Sequence, residues 1–147
     1  MLVQHILDSA RRRLMVLTWD APVIAAATIL ANPDTPLIVV CESTGVAIGV
    51  ITRTDVIKLF SSGEVDAYAM NASDVMTQPV FSCHEDESLQ LVWEGLNERS
   101  FQCVPVLDPS RRPRGIVHAR DVVRALLDEV THEELLLRDY VLGVGYR

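Results

Sequence analysis

Gly49-Val50-Ile51-Thr52-Arg53-Thr54-Asp55-Val56 returns 66 residues further on as Gly115-Ile116-Val117-His118-Ala119-Arg120-Asp121-Val122. The same offset aligns Asp8 with Asp74, Asp20 with Asp86, Leu30 with Leu96 and Val40 with Val106, without a gap. Self-similarity at one fixed period marks an internal duplication, and two copies of one unit imply a pseudo-two-fold protein with paired clefts.

Working outward from that stretch, each copy reads β-α-β-β-α. In the first, Asp20 can cap a helix with Pro22 in its first turn and Trp19 stapled onto Ile24, running to about Asn32 before Pro33. In the second, Asp86 is the expected cap, and Leu89, Val92, Trp93 and Leu96 fall at helical spacing. A β-branched strand, a turn (Glu42–Gly45 or Asp108–Arg111) and a second strand follow, which is a hairpin. The hairpin runs into another helix, and a short strand, 14–17 or 80–83, precedes each unit's first helix. A three-stranded sheet with helices on one face leaves the other face apolar, so the copies must pack on each other. The expected fold class is therefore α+β, with pseudo-two-fold symmetry, sheets face to face and helices outside. The expected divisions are residues 1–62, a linker over 63–72, a second repeat over 73–128, and a helical tail over 129–147.

Composition narrows the function. At 147 residues the chain can bury a good core as one body. Its three cysteines, Cys41, Cys83 and Cys103, cannot all pair, and two sit in apolar runs, as expected of buried thiols in a reducing compartment. No stretch approaches the roughly 18 apolar residues of a membrane span, and Met1 to Asp8 lacks the features of a signal peptide, so a cytoplasmic protein is expected. A net charge of −7 argues against nucleic acid as partner. Twelve arginines against the single Lys58 fit either phosphate recognition or a codon bias. Cys83-His84-Glu85-Asp86 is a poor metal site, because consecutive ligands rarely converge. With no nucleophile set by a motif beside His118 and Asp121, catalysis is not expected.

Asp-Val-Met-Thr at 74–77, Pro105-Val106-Leu107-Asp108 and the doubled Gly-hydrophobic-hydrophobic-x-x-x-Asp resemble a tandem pair of cystathionine β-synthase (CBS) domains, a Bateman module, over roughly residues 3 to 128. The resemblance implies two clefts that bind adenosyl ligands: AMP, ADP or ATP, with S-adenosylmethionine or NADH as further candidates and no catalytic cofactor. It also implies a stand-alone regulatory module that dimerises through its helices and acts on an unidentified protein partner. Asp55 and Asp121 stand where a carboxylate accepts hydrogen bonds from ribose hydroxyls, although helix capping explains them too. Thr52 stands where a hydroxyl meets phosphate at a helix N-terminus; His118 departs from the usual Ser or Thr.

By the same resemblance the first cleft joins Thr52, Arg53 and Asp55 to Thr77, Val80 and Gln102. The second joins His118, Arg120 and Asp121 to Arg11, Arg12, Arg13, Leu14 and Pro36. In the second, Ala10-Arg11 replaces Met-Thr, so that cleft is either degenerate or suited to a longer phosphate chain, with a protonated His118 assisting. The competing class is a structural or interaction module with empty clefts, and a weaker one is a redox adaptor using Cys83.

Overall fold

The computed structural model of the chain describes residues 1–63 and 66–142. A 3-10 turn (Val3–Ile6) and α1 (Leu7–Arg12) lead to β1 (Val16–Thr18), α2 (Val23–Leu30), β2 (Leu37–Cys41), β3 (Ala47–Thr52) and α3 (Arg53–Ser62). A second 3-10 turn (Ala67–Ala69) and α4 (Ala72–Val75) precede α5 (Leu89–Arg99), β4 (Cys103–Leu107), β5 (Pro113–His118) and α6 (Ala119–Val141). This is the expected α+β architecture. Its last helix is continuous from the second repeat into the expected tail, and residues 143–147 lie outside the described residues.

The duplication survives at the level of hydrogen bonds. β2 and β3 pair antiparallel with Ile38 opposite Ile51, and β4 and β5 repeat this with Val104 opposite Val117. A register shift between Val40 and Cys41 recurs between Val106 and Leu107. β1 runs parallel to β2 with Leu17 opposite Val40; in the second copy only Cys83 keeps the equivalent bridge, to Val106. The expected strand at 80–83 is thus reduced to one paired residue. The cause lies across the ladder. Val39 N–H donates to Met15 O at 2.9 Å in the first copy, whereas its counterpart Pro105 has no N–H to give. Past the bridge, Trp19 N–H donates to Cys41 O in the first copy, but in the second His84 Nδ1 meets the equivalent Leu107 O, also at 2.9 Å.

Helix starts differ from expectation as well. The N-caps are Pro22 and Ser88, two residues beyond Asp20 and Asp86, and neither makes a side-chain cap bond. The free N–H of Val23 donates instead to Met70 O at 2.9 Å, and that of Leu89 to Met1 O at 3.0 Å. These carbonyls come from the segment that leads into the opposite repeat, so backbone satisfies what a side chain was expected to satisfy.

That exchange is carried into the core. Val3, Leu7 and Ala10 are buried with Leu89, Val92, Leu96, Val106 and Val122 of the second repeat. Ala72 and Met76 pack with Ala26, Leu30, Ile38 and Ile51 of the first. Each leading helix is therefore part of the other repeat's packing unit. Between the units Leu37, Val39, Cys41 and Ala47 meet Cys103, Leu107 and Ile116, which is the face-to-face contact of the sheets. Glycine permits the closest approach at equivalent points: an added Cβ at Gly49 would lie 2.5 Å from Met76 Sδ, and at Gly115 2.7 Å from the carbonyl carbon of Ala10.

Candidate functional site: two unequal clefts

The first cleft forms where β3 turns into α3. Thr52 is the N-cap of α3 and shares a capping box with Asp55. Asp55 Oδ2 accepts from Thr52 N–H at 2.9 Å and from its hydroxyl at 3.2 Å, while Oδ1 accepts from Thr77 Oγ1 at 3.0 Å. Thr77 is held there because α4 stops at Val75 and Met76 is extended, letting Thr77 exchange both backbone hydrogen bonds with Val50 at 2.8 and 3.1 Å. In front of this carboxylate opens a cavity of about 520 Å³. Leu37 and Val50 of the first repeat and Pro79, Phe81, Phe101 and Pro105 of the second give it apolar walls; Ser100 and Gln102 add polar edges. The Phe81 and Phe101 rings lie tilted with centroids 5.8 Å apart, and the Arg99 guanidinium sits 4.1 Å above Phe81.

Arg53 also lines this cavity, but its guanidinium is already engaged. It donates to Leu30 O at 2.8 Å, Asn32 O at 2.7 Å and Thr35 O at 3.1 Å, tying the end of α2 to the start of α3. The site therefore offers a carboxylate with hydroxyl neighbours, the start of a ten-residue helix and a flat apolar slot, with no guanidinium free in the described lining. Such a set suits a planar base, a vicinal diol and a group of low charge.

The second cleft keeps the hairpin-to-helix junction and differs in its side chains and in the end of its leading helix. Here α1 continues to Arg12, three residues past the point equivalent to the end of α4. Arg13, at the position equivalent to Pro79, reaches Asp121: Nε to Oδ2 is 2.9 Å and Nη2 to Oδ1 3.4 Å. The two side chains are 23% and 13% exposed, so this pair is largely out of water. His118 is the N-cap of α6 but makes no cap bond, and its Nδ1 is buried without a partner. Burial, then the nearby Arg120 and Arg13, lower its pKa against the opposing pull of Asp121. These influences disfavour the protonated imidazole, and Arg12, Arg13 and Arg120 supply positive charge here. A cavity of about 530 Å³ on the Arg13 side of the pair is lined by Arg12, Arg13 and Arg120 with Asn32, Asp34 and Thr35; Asp121, covered by Arg13, and His118 are not among its lining residues.

Of the residues singled out in sequence, Thr52, Arg53, Asp55, Thr77 and Gln102 line the first cavity. Pro36, assigned to the second cleft, lines the first and not the second. Val80 and Leu14 face the cluster between the sheets and are absent from both linings. Arg11 is exposed and pairs with Asp8 at 3.7 Å. Phe81 and Phe101 escaped sequence reasoning; the signal available was two of the chain's three phenylalanines flanking the second repeat's helix. All three thiols are buried, and burial raises each pKa, to about 12 for Cys83 and about 11 for Cys103.

A fold of two swapped βαββα units with a cleft at each hairpin-to-helix junction defines a class. The CBS domain family model matches residues 72–128. The CBS-domain protein ATU1752 of Agrobacterium tumefaciens shares 26% identity over 85% of this chain and 98% of its own, with a TM-score of 0.73. The CBS domain pair of protein MJ0100, in complex with 5′-methylthioadenosine and S-adenosyl-L-methionine, shares 25% identity over 88% and 98%, with a TM-score of 0.72. Residues 72–128 thus match a CBS domain, and the chain as a whole has the fold of a CBS pair. Among curated relatives, an uncharacterized 17.7 kDa protein of Acidianus ambivalens is 26% identical over 92% of this chain and 81% of its own. The 5′-AMP-activated protein kinase subunit gamma-3 of Sus scrofa is 25% identical over 79% of this chain, which spans 24% of that subunit. Among the described residues no helix is long and apolar enough to cross a membrane.

Proposed function

We propose that the first cleft binds an adenine nucleoside or nucleotide and that the chain is a ligand-sensing regulatory module. One observation carries this reading: the Asp55 carboxylate, ringed by Thr52 and Thr77, faces an apolar slot bearing Phe81 and Phe101. A ribose diol donates to the carboxylate in place of the Thr77 hydroxyl, and the base lies in the slot. The adenosyl compounds bound by the MJ0100 pair and the relation to an AMP-activated kinase subunit favour adenine as that base. Regulation is favoured over catalysis because the lining thiol, Cys103, has its pKa pushed up to about 11 and no described base beside it. The same raised values count against a redox role for Cys83.

The ligand's output is a population shift: by bridging walls drawn from both repeats it favours one packing of the sheets, which a second copy of the chain or a protein partner then reads. A cytoplasmic homodimer is part of this proposal. The test is a thermal-shift screen against AMP, ADP, ATP, NADH and S-adenosylmethionine, repeated on Asp55→Asn. Ligand at a hundred times its dissociation constant adds about 2.7 kcal/mol of stability. One or more compounds should stabilise the wild type and lose that effect in the variant; no response to any of them rejects the reading in favour of an interaction module with empty clefts.

A further inference from the structure

We infer that Arg13 is a charge gate on the second cleft, closing it to uncharged nucleosides and opening it to nucleotides with a phosphate chain. The inference deepens the nucleotide-binding proposal by adding ligand selection at the second site, and it rests on that proposal for the identity of the base. It begins with the 66-residue offset, which superposes Asp121 on Asp55 and Arg13 on Pro79. In the first cleft the carboxylate is held by neutral hydroxyl and amide donors, which a diol can replace like for like. In the second it is held through both oxygens by the chain's own guanidinium, with little exposure of either partner.

The consequence differs with the ligand. A neutral nucleoside must displace Arg13 to reach Asp121, and it offers the guanidinium nothing in return, leaving a cation part-buried and unpaired. A phosphate chain offers another oxyanion to the same fork, in a cavity where Arg12 and Arg120 add to the attraction and Asp34 opposes it. Arg13 then exchanges one anion for another, and Asp121 is released to accept the ribose hydroxyls. Phosphate and ribose are recognised by the two halves of one ion pair, so binding requires both on one molecule. The first cleft carries no such pair, and its lining arginine is committed to three carbonyls.

The test uses adenosine and ATP titrated calorimetrically into the wild type, Arg13→Ala, Asp121→Asn and Asp55→Ala. The gate predicts that Arg13→Ala gains adenosine affinity at a site that Asp55→Ala leaves untouched, by roughly tenfold if the open form is about a tenth of the wild-type population. At that site the wild type prefers ATP to adenosine, and Arg13→Ala narrows the preference. Asp121→Asn also breaks the pair but removes the anionic acceptor, so it gains no adenosine site. Unchanged adenosine binding in Arg13→Ala, an equal gain in Asp121→Asn, or a wild-type site indifferent to phosphate overturns the gate. Asp55→Ala reports separately: if it alters no binding while Arg13→Ala does, the first-cleft assignment fails and the gate stands.

Discussion

Replacing Asp55 by alanine separates a helix cap from a ligand site, because this carboxylate serves the apo protein as well. It accepts three hydrogen bonds, from Thr52 N–H, Thr52 Oγ1 and Thr77 Oγ1, at 2.9, 3.2 and 3.0 Å. Losing the capping box costs about 0.5–2 kcal/mol of stability, which for a chain of this size lowers the melting temperature by about 2–4 °C per kcal/mol. If the same group also holds a ribose through charge-assisted bonds, its removal costs a further 1.5–3 kcal/mol of binding, roughly 10- to 150-fold in affinity. Calorimetric titration well below the unfolding transition isolates the second quantity, and denaturant titration measures the first. Thr77→Ala provides the control, since it removes one donor to Asp55 and leaves the cap of α3 in place; it should change stability little. A variant that loses the cap energy yet binds nucleotide as tightly as the wild type would refute the ribose assignment and leave Asp55 a cap.

Four other outcomes follow from the packing. Gly115→Ala should cost about 1–3 kcal/mol in urea unfolding, because its methyl meets Ala10 backbone, whereas Gly49→Ala should cost less because the flexible Met76 side chain can give; equal costs reject this account. His118→Thr should raise stability by about 1 kcal/mol by supplying the absent N-cap acceptor to Asp121 N–H and removing an unpaired buried nitrogen; a loss would show that the imidazole is needed for packing. With the Cys83 and Cys103 pKa values raised on folding, the folded state retains protons the unfolded chain releases, so stability should fall as pH rises above about 9, by up to about 1.4 kcal/mol per unit per thiol, and Cys83→Ala should flatten that slope. Leu127, Leu136 and Leu137 on α6 are 61%, 56% and 64% exposed, and Ile57 on α3 is 61% exposed. A homodimer of about 33 kDa, twice the 16.3 kDa chain, should therefore sediment, and a monomer at micromolar concentration rejects it.

Local chemistry was legible in the sequence and exchange between the halves was not. The 66-residue period announced both hairpins and the helix after each, because those elements are set by alternation and turn residues within one copy. Asp20 and Asp86 were read as caps because local capping is all a linear pattern can express; Met70 and Met1 satisfy those helices from the other repeat. The loss of the strand at 80–83 was legible in principle, since Pro105 sits at the position equivalent to Val39, whose N–H donates to Met15 O in the first copy. At the sites, Thr52, Asp55 and Thr77 could be brought together through a motif. The Arg13–Asp121 pair spans 108 residues and replaces a proline by an arginine, a substitution with no local signature.

The places where the copies diverge determine how a ligand could be felt beyond its own cleft. The hairpin register, its bulges and the close-approach glycines are duplicated, so both halves retain one hairpin design even though the second has only a bridge in place of β1. Divergence is concentrated where each leading helix ends, at Met76-Thr77 in one case and Ala10-Arg11-Arg12-Arg13 in the other. Because those helices are exchanged, Thr52, Asp55 and Thr77 belong to one packing unit, while Phe81, Phe101 and Pro105 belong to the other. Any molecule that fills the first cavity touches both units at once. The cluster between them, from Leu37 and Val39 to Leu107 and Ile116, is apolar and non-directional, and at its edge the units are tied by Ala47 N–H donating to Arg111 O at 2.9 Å and by the Arg112 guanidinium donating to Thr44 O at 3.2 and 3.3 Å. On the proposed ligand-sensing reading, a ligand that binds one arrangement a hundredfold more tightly biases it by about 2.7 kcal/mol, and the exposed apolar residues of α3 and α6, one helix from each unit, are where the proposal places the readout of that bias.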